Sequence, residues 1–81
     1  MSDTISTLAA KLAEDTMKVM DETGNDRFFV EVGELLGASS QTLEEAFLTE
    51  IRVRLAERKA RKFVIDTLTK HRSQVKAIEK K

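Results

Sequence analysis

Between residues 4 and 23, Ile5, Leu8, Leu12, Thr16, Val19 and Met20 recur at spacings of three and four, with Ala9 and Ala13 beside that stripe. This period predicts an amphipathic helix over 4–23. Ser2, Asp3 or Thr4 is expected to cap its start, and Gly24 stands where a left-handed terminating residue is wanted. Beyond it, Asn25 or Asp26 is expected to cap a second, shorter helix over about 26–36. Its Phe28, Phe29, Val32, Leu35 and Leu36 share one side, and Gly37 is expected to end it. The rival is a short strand at residues 27–32, because the run RFFVEV alternates and is rich in aromatic and β-branched residues. The helix is preferred: Gly24 and Gly37 bracket about three turns, and no second strand is evident for pairing within the chain.

After Gly37, neither glycine nor proline occurs through Lys81. Ser39, Ser40 and Thr42 are cap candidates, and Thr42 with Glu45 has the spacing of a capping box. The apolar face changes direction within this stretch. Leu43, Phe47, Ile51 and Leu55 lie together, whereas Val64, Leu68, Val75 and Ile78 lie on a face rotated by about a third of a turn. Glu57, Arg58, Lys59, Arg61 and Lys62 separate the two. A kink or break near 56–62 is one consequence; the other is a continuous helix that serves its own chain with one half and a partner with the other. The fold class is therefore all-α, a small bundle of three to four helices (about 4–23, 26–36, 40–57 and 60–79), with the last two either separate or one long kinked helix.

Length confines this pattern to one domain, 1–81, with residues 71–81 expected to fray as a basic tail. At 81 residues a lone core leaves little stability to spare, which makes a partner chain plausible before any motif is considered. Cysteine and proline are absent. Neither disulfides nor thiolate metal ligands can staple the fold, so stability must come from packing. No run approaches the roughly 20 apolar residues of a membrane span, and no leader is evident, which leads us to expect a cytoplasmic, reducing location.

The net charge of zero conceals a strong asymmetry. Residues 1–50 hold eleven acids against Lys11, Lys18 and Arg27, a net of −8, and residues 51–81 carry a net of +8. Such a dipole points to a partner surface of opposite sign: nucleic acid, another protein, or a second copy running antiparallel. A basic half can also simply neutralise its own acidic half within the fold.

Chemistry is poorly represented. His71 is the only histidine, tyrosine is absent, and the serines have no base set beside them by a recognisable motif. Flanked by Val64, Leu68, Val75 and Ile78, His71 is expected to border a packed face. The acidic pairs Glu14–Asp15, Asp21–Glu22 and Glu44–Glu45 are adjacent in sequence, which a helix points in different directions. No catalysis, metal, cofactor or small-molecule substrate is expected.

Residues 32–47, VGELLGASSQTLEEAF, resemble the helix-turn-helix of DNA-binding regulators. Gly33 and Gly37 match the small and turning positions, Val32, Leu36, Leu43 and Ala46 the apolar ones, and Ser39 and Thr42 the phosphate or cap contacts. The glycine-x-serine turn between two amphipathic helices also looks like ribbon-helix-helix repressors. Either resemblance implies DNA binding. Electrostatics oppose it, because the recognition helix would offer Gln41, Glu44, Glu45 and Glu50 to a phosphate-lined groove and no cation before Arg52.

Two readings follow. The first is a non-catalytic protein-interaction or oligomerisation module, a homodimer, with Phe63, Val64, Leu68, Val75 and Ile78 as its interface and Phe28, Phe29, Leu36, Phe47, Ile51 and Leu55 as its intrachain core. The alternative is a nucleic-acid-binding protein using the stripe at 52–62, through Arg54, Arg58, Lys59, Arg61 and Lys62. Membrane binding ranks lowest, since the apolar residues of 51–72 are split between two directions.

Overall fold

The computed structural model describes residues 2–79, with side chains from 4 to 75. The chain forms three helices, α1 (Ser2–Thr23), α2 (Phe28–Ser39) and α3 (Gln41–Glu79), and no strand occurs among the described residues. The molecule measures 64 × 28 × 13 Å, its length set by α3. Among the described residues, no helix is long and apolar enough to cross a membrane.

Helix α1 ends at Gly24, whose φ of 74° places it in the left-handed region, with its N–H donating to the Met20 carbonyl at 2.9 Å. Thr23 reinforces the stop: its hydroxyl donates to the Val19 carbonyl (2.7 Å) and accepts from the Asn25 N–H (3.2 Å). The expected cap of α2 by Asn25 or Asp26 takes a different form. Arg27 occupies the cap position without a side-chain bond, and the Asn25 carboxamide oxygen instead accepts from the Arg27 N–H at 3.2 Å, an Asx turn that leads into the helix. Residues 28–32 are helical, so the short strand is not formed.

Helix α2 runs past Gly37 to Ser39, and the chain reverses at the single residue Ser40. Ser40 serves both helices. Its extended backbone donates N–H to the Leu36 carbonyl (2.7 Å), and its own carbonyl accepts from Glu44 N–H (3.0 Å). Its hydroxyl accepts from Leu43 N–H at 3.1 Å, satisfying one of the first free donors of α3. That bond takes the place of the capping box expected from Thr42 and Glu45, which both fall inside α3. A one-residue link needs α2 and α3 to pack closely. Gly33 permits it, since a Cβ there would stand 3.3 Å from the Leu48 side chain.

The core consists of Ala9, Ala13, Met17 and Met20 from α1 with Phe47 and Ile51 from α3. Phe28, Phe29, Val32, Leu36, Leu43 and Leu55 pack around it, half-buried. The buried stripe of α1 is turned by about one position from the sequence expectation: the alanines lie at its centre, and Leu8 and Val19 are exposed. Two alanines let α3 approach closely, and Phe47 and Ile51 fill the space they leave.

Helix α3 continues without a break through residues 56–62, so the stretches expected at 40–57 and 60–79 are one helix rather than two. Glu57–Arg61 and Lys62–Asp66 pair across single turns there. The charges that interrupt the apolar pattern therefore support the helix that carries them.

Candidate functional site

From Ala56 onward, every described side chain of α3 is exposed. At 1.5 Å per residue, residues 56–79 form an arm of about 36 Å reaching beyond the bundle. Isolated helices of this size are marginal in water, and their stability in proteins comes mainly from burying a face. On this arm the apolar face is bare. Phe63 is 72% exposed, Val64 62%, Leu68 45% and Val75 38%. The side chain of Ile78, the fifth proposed interface residue, lies outside the described residues.

Val64, Leu68, His71 and Val75 follow one another at spacings of four, three and four, the 3.5-residue period of a helix that packs along another helix. Phe63 and Ile65 sit about a quarter-turn to either side of this seam. Ile65, 54% exposed, was missed by a reading that followed the stripe alone; the unbroken run Phe63-Val64-Ile65 is the signal that could have found it.

The five candidate cations lie near the arm's root and differ in availability. Arg54 is half-buried between α1 and α3, its guanidinium donating to Glu50 (3.2 Å) and to the Ala10 carbonyl (3.4 Å), while its buried Nε meets no acceptor. Arg58 donates twice to Asp21, at 2.8 and 2.9 Å, tying the end of α1 to the start of the arm. That hydrogen bonding, aided by the guanidinium charge and opposed by desolvation, holds the Asp21 carboxyl below its ordinary range and raises Arg58. Arg61 pairs with Glu57 and Lys62 with Asp66 (3.0 Å). Only Lys59 of the five has no acidic partner among the described residues. The stripe that looks uniformly basic in sequence is thus largely neutralised by its own chain.

The helix-turn-helix positions are arranged differently from the sequence match. Gly37 lies within α2, where its missing side chain leaves room for Glu44, and the turn is Ser40. Gly33 does fill the close-approach position. The exposed surface at the start of α3 presents Gln41 and Glu45.

An open groove of about 550 Å³ between α1 and α3 has Met17 and Val53 among its lining, with Glu14, Asp21, Glu50 and Arg58. Its lining has no serine, threonine or histidine. Among the described residues, no group of three or more His, Asp or Glu side chains could hold a metal ion. Comparison of the chain with protein-family models, with curated proteins and with solved structures returned no match.

Proposed function

We propose that this protein is a non-catalytic interaction module that self-associates through the arm of α3, as a homodimer. One observation carries the proposal: the coiled-coil-spaced seam from Val64 to Val75, largely apolar, is left uncovered by its own chain. The small size of the bundle supports it. Among the described residues only six hydrophobic ones are buried, two of them alanines, and a helical arm contributing nothing to that core has its stability to gain from a second surface.

Nucleic-acid binding is the competing reading, and its expected contacts are weakened by the pairing of Arg54, Arg58, Arg61 and Lys62 with carboxylates. Size exclusion with light scattering distinguishes the two. The expected result is twice the chain mass, persisting from low to moderate salt and unchanged by duplex DNA. A monomer at high concentration would refute self-association. A DNA complex that forms at low salt and dissolves as salt rises would establish the competitor.

A further inference from the structure

The partner and its direction can be taken further, on the premise that the arm self-associates. We infer that the occupant of the seam is the arm of a second copy, antiparallel, with the two-fold axis passing between Thr69 and Lys70. In this register Val64 lies opposite the partner's Val75 and Leu68 opposite the partner's His71, each contact occurring twice.

Two features select it. First, the layers are uncharged along the described seam. Sliding by one heptad sets Val75 against the partner's Glu57 and His71 against the partner's Arg61, burying carboxylate and guanidinium groups. Sliding the other way separates Val64 from Val75.

Second, a parallel pair in register would press Arg61 on Arg61 and His71 on His71 at the seam. It would also set two acidic bundles side by side, since residues 1–50 of each copy carry a net of −8. Antiparallel packing removes the Arg61–Arg61 contact and sets the two acidic bundles at opposite ends.

The absence of native cysteine makes the test direct. Full-length Val64→Cys and Val75→Cys chains, carrying tags of different size, are each oxidised alone in a glutathione buffer and then as an equimolar mixture. A disulfide needs Cα atoms within about 7 Å, so only opposed positions link. The antiparallel register gives the 64–75 heterolinked product in the mixture and unlinked chains alone. Self-linking of each single variant would mean parallel helices and would overturn the inference. A dimer by light scattering with no linkage would place the contact elsewhere, overturning it too, whereas a monomer would overturn the underlying self-association.

Discussion

Replacing Leu68 by Asp is expected to convert the dimer to a monomer while leaving the three-helix bundle folded. Leu68 touches no part of the bundle core, and 45% of its surface is exposed in the single chain. Its cost therefore falls on association. Burial of a leucine side chain is worth about 1.5–3 kcal/mol, and a symmetric dimer contains two. Losing the part of both that association can still bury weakens the dimer by about 1–3 kcal/mol, roughly five- to a hundredfold in dissociation constant. Sedimentation at a series of concentrations measures it. Unchanged self-association of the L68D chain would remove the arm from the interface.

The second large effect concerns the bundle. Phe47 is fully buried against α1 with Ile51, and Phe→Ala at such a site costs about 3–5 kcal/mol through lost transfer energy and the remaining cavity. Total stability in a small domain is only about 5–15 kcal/mol. A core of six hydrophobic residues, four of them from α1, places this bundle at the lower end. Phe47→Ala is thus expected to unfold much of the population at room temperature, seen as loss of helical circular dichroism. A change in thermal midpoint of only a degree or two would show that Phe47 does not anchor the core.

These two substitutions act on faces about a third of a turn apart on one helix, and that division was legible in the sequence. Phe47, Ile51 and Leu55 are the faces turned to the bundle, while Val64, Leu68 and Val75 lie bare on the arm. The continuity of α3 was less legible. A charge-rich segment between two apolar faces looks like a break when judged by hydrophobic period, yet Glu57–Arg61 and Lys62–Asp66 stand at the spacing that favours helix.

Glycine misled at one position and guided at another. Gly24 ends α1 because its left-handed backbone satisfies a terminal carbonyl, whereas Gly37 stays within α2, where a side chain would meet Glu44. The reversal falls to Ser40, whose backbone and hydroxyl together supply bonds to both helices. The basic stripe illustrates a different limit. Charges are visible in a sequence, but the Asp21–Arg58 pair joins residues 37 positions apart, and only the packing of α1 on α3 reveals that this arginine is already engaged.

In a dimer formed through α3, the arm becomes covered when two chains meet. Amide hydrogen exchange, followed residue by residue at a low protein concentration and at one roughly a hundredfold higher, tests it most directly. Amides of residues 64–75 are expected to exchange rapidly in dilute protein and to gain protection at the higher concentration, while those around Phe47 and Ile51 remain protected at both. Exchange in residues 64–75 that stays rapid at both concentrations would contradict it.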